Sequence, residues 1–374
     1  MLKGANLTVS GIVLISMAFV SCRSDVDNVT RIMNSSPKYA EKSYINIEKA
    51  HNIDVTQIGM LSKESNFDRL VDFDLQNNMY ILDPYESKIW VFNEDGKLTR
   101  TFGKQGQGPE EFLRPNGIVV KNSNIYVFQG FHETKIVDLE GHYISSYLVQ
   151  IENRLKVKAI GANFYLFRGK TDRTFTKLEL ILTVEDGRFS GGKEIFRYIY
   201  PPGLSGPNYD FRWHNWLLIS GNGEFYFPED NLRKYSIIKY DKEGRPILVF
   251  GRRYNIMEYS KEAENRFISL YEREIRKGDL EFPKSPPVVV NMFQDEKNNI
   301  WVISGETYED NMDPNYENSV DIFSMKGEWM WSFKSKFISR YCLYNNGKIY
   351  KVLPVDLDTY SQCIGVYKIN YYRD

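Results

Sequence analysis

Apolar and polar positions alternate along most of the chain in blocks of four to six, and the blocks are of strand length. The stretch 73–117, FDLQNNMYILDPYESKIWVFNEDGKLTRTFGKQGQGPEEFLRPNG, shows the unit most clearly. MYIL and KIWVF bunch β-branched and aromatic residues between Asn, Asp, Pro and Gly, and the turn Glu94-Asp95-Gly96 supplies the positive φ of a tight hairpin. The pattern predicts a four-stranded antiparallel unit followed by a glycine-rich arc.

Parts of this unit recur. A polar turn leading into an aromatic-bearing strand is found as NNMYIL at 77, NSNIYVF at 122, GANFYLF at 161, GNGEFYF at 221, KNNIWVI at 297 and NNGKIYKV at 345. Five of the six copies continue into an apolar strand, a second turn carrying Gly, and another strand. A small sheet repeated in this way cannot bury both faces alone, so the copies stack in a ring, and the count predicts a six-bladed β-propeller of four-stranded antiparallel blades. The sixth copy lacks its last strand. Residues 44–58, with Ile45, Ile47, Ile53 and Val55 in alternation, are predicted to supply it and to close the ring.

Composition agrees with an all-β chain of 374 residues: 26 Tyr, 23 Phe and 6 Trp suit pleated surfaces. The 48 Lys and Arg balance 49 Asp and Glu, so no net field favours nucleic acid or an anionic membrane. Separately, a monomer is expected. Residues 1–22 read as a signal segment, with an apolar run at 7–20 too short to span a bilayer comfortably. It ends in Phe19-Val20-Ser21-Cys22, which resembles a bacterial lipobox, with Phe19 where Leu is usual; Cys22 is the implied lipidation site. An ordinary cleaved signal with an incidental cysteine is the alternative. Residues 23–43 are polar and aperiodic and are expected to be a flexible tether, so that residues 44–374 form the propeller. The remaining cysteines, Cys342 and Cys363, fall on the first and third strands of one sheet, about 9.6 Å apart, beyond the roughly 7 Å a disulfide tolerates. Two thiols are expected.

The run FGKQGQGPEEFLRPNG, following a blade that ends in FNEDGKLTRTF, resembles the glycine-rich arc of NHL-repeat propellers. More closely, residues 44–374 look like the six-bladed β-propeller lipoproteins abundant in Bacteroidetes, which carry a similar GxxGxGPxEF element after their first blade. The resemblance implies the fold and an outer-membrane lipoprotein exposed to the periplasm or the cell exterior, attached to the membrane through the lipid alone. Most such proteins have no assigned activity.

Propeller connectivity puts the first-to-second and third-to-fourth strand turns on one face, and all other connections on the opposite face. Here every turn of the first set is short. The second set contains 103–115, 168–174, 197–215, 228–234, 252–287 and 304–317, so all the length, and with it the expected ligand site, gathers on one face. The longest link carries a helix candidate, capped by Ser260, with Ala263, Phe267, Leu270, Tyr271 and Ile275 at helical spacing and Gly278 at its end; it is read as a rim helix or a lid. The link 200–216, YPPGLSGPNYDFRWHNW, crowds Trp213 and other rings beside Arg212 and His214, a combination that suits sugars, peptides or other amphipathic ligands.

Other chemistry is weakly signalled. GKQGQG lacks the Lys-Ser/Thr and helix of a phosphate loop, the four histidines have no ligand spacing, and no nucleophile elbow exists. Asp83 and Asn116, with Asp356 and Asn215, fall near strand ends of the same face and leave open a calcium-dependent lactonase- or lyase-like site, with Ca as its ion. Arg114, Arg168, Arg212, Arg252, Arg253 and Arg340 lie on the rim and suit an anionic sugar or a peptide carboxylate. The expected role is non-catalytic recognition of a glycan, a peptide or an envelope protein, with a structural scaffold as a third reading. Expected ligand contacts are Asp83, Arg114, Asn116, Arg168, Arg212, Trp213, His214, Arg252 and Arg340.

Overall fold

The computed structural model describes residues 29–39, 45–58, 67–130, 133–148, 154–171, 178–189, 192–199, 217–229, 233–256, 258–259, 261–270, 272, 285, 287–304, 317–339, 341–355 and 361–372. Its first two strands, β1 (Arg31–Asn34) and β2 (Ile45–Asp54), precede the first blade and belong to distant ones. Blade one is β3 (Val71–Phe73), β4 (Met79–Asp83), β5 (Lys88–Phe92) and β6 (Leu98–Phe102), entered through a short helix α1 (Phe67–Leu70). Blade two is β7 (Pro115–Lys121), β8 (Asn124–Gln129), β9 (Glu133–Asp138) and β10 (Tyr143–Leu148). Blade three is β11 (Arg154–Ile160), β12 (Asn163–Thr171), β13 (Leu178–Glu185) and β14 (Lys193–Ile199).

Blade four is β15 (Leu218–Ile219), β16 (Phe225–Pro228), β17 (Ser236–Tyr240) and β18 (Pro246–Arg252). After it comes the inserted helix α2 (Lys261–Leu270), which matches the helix expected in the long link; Ser260, Tyr271, Ile275 and Gly278 lie outside the described residues. Blade five is β19 (Val289–Gln294), β20 (Ile300–Ser304), β21 (Asn318–Phe323) and β22 (Trp329–Ser335). Blade six is β23 (Leu343–Asn345), β24 (Lys348–Val352) and β25 (Cys363–Tyr371), completed by β2. The protein is a six-bladed β-propeller.

Ring closure follows the sequence reading. β2 runs antiparallel to β25 from Ile45 opposite Tyr371 to Asp54 opposite Cys363. Ile53 and Val55 then fill the seam to blade one with Met79, Ile81, Trp90, Tyr350 and Ile364. Each remaining seam has its own apolar filling. Tyr80, Val91 and Phe112 meet Ile125 and Val127 between blades one and two. Phe128 meets Phe164, Leu166 and Phe189 between two and three. Phe167 and Phe196 meet Phe225 and Phe227 between three and four, and Phe250 packs on Phe323 between four and five. Trp301 and Ile303 meet Ile349 and Tyr367 between five and six.

The segment expected to be a flexible tether is ordered over 29–39. β1 lies parallel to β18 as a fifth strand on blade four, with Arg31 opposite Val249 and Asn34 opposite Arg252. Asn34 Nδ2 donates to the carbonyls of Gly251 (2.9 Å) and Gly327 (3.0 Å), and its Oδ1 accepts from Trp329 N. Lys38 N and Tyr39 N then donate to the carbonyls of Trp329 and Met330 on blade five, and Tyr39 stacks on Trp331. The amino-terminal segment thus laces the outer edges of blades four, five and six. Composition hid this because an edge strand of sequence RIMN is held by backbone hydrogen bonds, which any side chain permits.

The short-turn face is built on one device. Asp74, Asp138 and Asp241 each accept with Oδ1 from the N–H groups two and four residues on. Asp295 repeats the four-residue bond to Asn299 N, while its Oδ2 accepts from Trp301 Nε1 (2.8 Å) and from Tyr371 OH. Each carboxylate is held by its own turn, and that of Asp295 also ties blade five to Tyr371 of blade six. Cys342 and Cys363 are thiols rather than a bridge, as expected.

Candidate functional site

The glycine-rich arc after blade one closes on itself. Phe112 is buried, its N–H donates to Lys104 O (2.8 Å), and its carbonyl accepts from Gly106 N. Glu111 accepts from Gly108 N (2.8 Å) and pairs with Lys104 at 3.2 Å. From blade two the buried Lys135 ammonium donates to the carbonyls of Gly108 and Glu111 (2.7 and 2.6 Å). A side chain at Gly106 (φ 156) would collide with the Glu111 carboxylate, so its glycine is architectural.

The loop face carries the sequence-expected contacts unevenly. Asp83 ends β4 and is fully buried; its Oδ1 caps the following turn through Tyr85 N (2.8 Å) and Glu86 N (3.1 Å), while Oδ2 has no partner. Arg114 is exposed at φ 52, and its carbonyl accepts from Gly130 N. Asn116 Nδ2 donates to Gly130 O (2.8 Å), tying the arc to the β8–β9 turn. Arg168 is half-buried on β12, and its Nε lacks a partner. Arg212, Trp213, His214, Arg340 and Cys22 lie outside the described residues, as do Asp356 and Asn215.

Arg252 differs from the expectation of a rim contact. Only 16% of its side chain is exposed, and its Nε donates to the buried Asp321 at 2.8 Å. The guanidinium also lies over the rings of Tyr235, Tyr254 and Trp329 at 4.6, 5.2 and 5.1 Å from their centroids. This cage seals the seam of blades four and five. Burial and then the Asp321 charge hold the Tyr235 hydroxyl well above its ordinary range.

Strand ends at the loop face leave several buried polar atoms without a protein partner: Asp83 Oδ2, Gln129 Nε2, Thr134 Oγ1, Ser304 Oγ and Asn318 Oδ1. Such atoms cost free energy unless water or a ligand completes them. Among the described residues, no group of three or more His, Cys, Asp or Glu is placed to hold a metal ion; of the residues named for a calcium site, Asn215 and Asp356 lie outside the described residues.

Charge is concentrated instead on the propeller axis, and the sequence reading missed it. Lys156 and Lys158 project from inner strand β11, while Asp68 on α1 and Asp72 on β3 come from blade one; α1 packs against β7 and β11. All four residues are half-buried, and the surrounding protein strips most of the water from their charged groups. Asp72 Oδ2 accepts from Val120 N of blade two (2.7 Å) and Oδ1 from Phe73 N (2.9 Å). Lys158 Nζ donates to Ile219 O of blade four (2.6 Å).

Desolvation dominates their titration. It pushes the Asp72 carboxyl up to about 6, against the pull of those backbone N–H groups and of Lys158. It also brings Lys158 down to about 8, helped by Lys156 and opposed by Asp72. Asp68 is raised and Lys156 lowered for the same reason, each opposed by the other's charge. The signal was present in LKVKAI, where charges at every second position of an inner strand share one side.

The model of a family described as 6-bladed beta-propeller (DUF5128) matches residues 42–198. No curated protein matches the chain. Among solved structures, the chain is similar to a candidate exported protein of Bacteroides fragilis, at 11% identity and a TM-score of 0.50, over 92% of this chain and 99% of that one. A member of the duf4221 family from Bacteroides vulgatus is similar at 12% identity and a TM-score of 0.52, over 89% and 100%. Virginiamycin B lyase of Staphylococcus aureus is similar at 9% identity and a TM-score of 0.41, over 87% and 99%, a likeness that carries no argument about chemistry. The similarities show the fold alone.

Proposed function

We propose that this protein is a lipid-anchored propeller of the cell envelope that recognises a glycan, a peptide or a partner protein through its long-loop face, without catalysis. The observation that carries the reading is the asymmetry of the two faces. On one, carboxylates are spent in their own turns. On the other, the connections between strands are long, and strand ends such as Asp83, Gln129, Thr134, Ser304 and Asn318 carry buried polar atoms without a protein partner. Exposed Arg114 and the aromatic link around Trp213 supply the rim contacts in this reading, with Arg168, Arg212, His214 and Arg340 beside them.

An array of envelope glycans and peptides tests it. Wild type is expected to bind at least one member, and Trp213→Ala and Arg114→Ala to weaken it; the absence of any ligand that responds to either change contradicts the reading. The anchor is tested separately. Cys22→Ser is expected to release the protein from outer membranes, and unchanged membrane fractionation counts against lipidation. Export is supported by the likeness to the Bacteroides fragilis protein.

A further inference from the structure

The axial charges lie in two layers that differ in one respect. Asp72 and Lys158 are stitched into the fold by bonds to Val120 N, Phe73 N and Ile219 O. Asp68 and Lys156 are not. Among the described residues, neither the Lys156 ammonium nor, apart from its own N–H, the Asp68 carboxylate has a hydrogen-bond partner, and the two do not meet in an ion pair; each feels the other through space, and Asp68 feels the neighbouring Arg69 more weakly.

Both are held on stiff supports. Phe67 and Leu70 are buried and fix α1. Val157 packs into the seam of blades two and three, which turns Lys156 and Lys158 the other way. Opposite charges stripped of water attract strongly, so a pair kept apart by its supports is a preformed slot for a molecule carrying the complementary pair. A plain anion drawn to Lys156 is repelled by Asp68, and a plain cation by Lys156. A zwitterion satisfies both.

We propose that Lys156 and Asp68 form a binding site for a free α-amino acid, whose carboxylate accepts from the Lys156 ammonium and whose ammonium donates to the Asp68 carboxylate. α1 immediately precedes the inner strand β3, at its loop-face end, so access is from that face; the proposal rests on the loop-face reading for this route only.

Calorimetry on the full chain with glycine, serine, glutamate and phenylalanine tests it. At least one is expected to give saturable binding. Its N-acetyl and amide derivatives, each missing one charge, are expected to bind at least about tenfold more weakly. Lys156→Gln and Asp68→Asn are each expected to lose about the same factor, while Lys156→Arg retains binding and keeps the proposal testable if the neutral variants fold poorly. No saturable binding by any of the four overturns the proposal, and so does an N-acetyl derivative that binds as tightly as its parent. Array ligands that bind wild type while no amino acid does overturn the axial site and leave the loop-face reading standing.

Discussion

Asp321 accepts the Nε–H of Arg252 at 2.8 Å across the seam between blades four and five, and the same carboxylate accepts from Tyr235 OH (2.7 Å) and Trp329 Nε1 (3.1 Å). Asp321 is fully buried, so removing it strands a guanidinium with little water. Asp321→Ala is expected to cost roughly 3–5 kcal/mol, read as a lower denaturant midpoint at unchanged slope. The double change Arg252→Met with Asp321→Leu is expected to recover most of that loss. A loss under about 1 kcal/mol for the single variant contradicts a clamp.

The amino-terminal lacing predicts two different truncation outcomes. A chain beginning at residue 40 loses β1 but keeps β2, and is expected to remain monodisperse with faster hydrogen exchange confined to blades four and five. A chain beginning at residue 55 loses the outer strand of blade six and bares the whole of β25, and is expected to aggregate on size exclusion. Equal behaviour of the two chains contradicts the assignment of ring closure to β2.

How far the sequence could be read depends on where the controlling contact lies. Alternation of Ile45, Ile47, Ile53 and Val55 is local, and it placed the closing strand correctly. Blade count and the long-loop face followed from turns that repeat within each unit. Arg252 was misread because its partner lies 69 residues on, in the next blade, and nothing near position 252 reveals it. Asp83 was legible as a strand end but not as the cap of its own turn. The axial lysines were legible in LKVKAI; the two carboxylates facing them were not, since that pairing needs blades one and three brought to one axis.

Asp72 sets a pH dependence. Its carboxyl is raised to about 6 in the folded protein, so between its ordinary unfolded range near 4 and about 6 the folded state holds the proton that the unfolded state has lost. The contribution is full below pH 4 and is lost as pH rises through 6. Asp72→Asn keeps an acceptor for Val120 N and removes the titration. The stability of wild type relative to this variant is expected to fall by up to about 3 kcal/mol from pH 4 to 7. Parallel stability curves contradict it.

Gly244 is held at φ +89 in the β17–β18 turn, and a Cβ there would run into the carbonyl of Ile195 in blade three. Gly244→Ala is expected to cost more than about 1 kcal/mol through both the backbone conformation and this inter-blade approach. Thermal unfolding reads it directly, and an unchanged midpoint contradicts the close approach.

Hydrogen exchange of the protein bound to an array-selected ligand tests the central claim most directly, because it reports which face is covered. Protection is expected in the arc at 103–115 and in the connections at 228–234 and 304–317, with the short turns at 93–97, 139–142 and 241–245 unchanged. Protection of those short turns, with the long connections unaffected, contradicts recognition through the loop face.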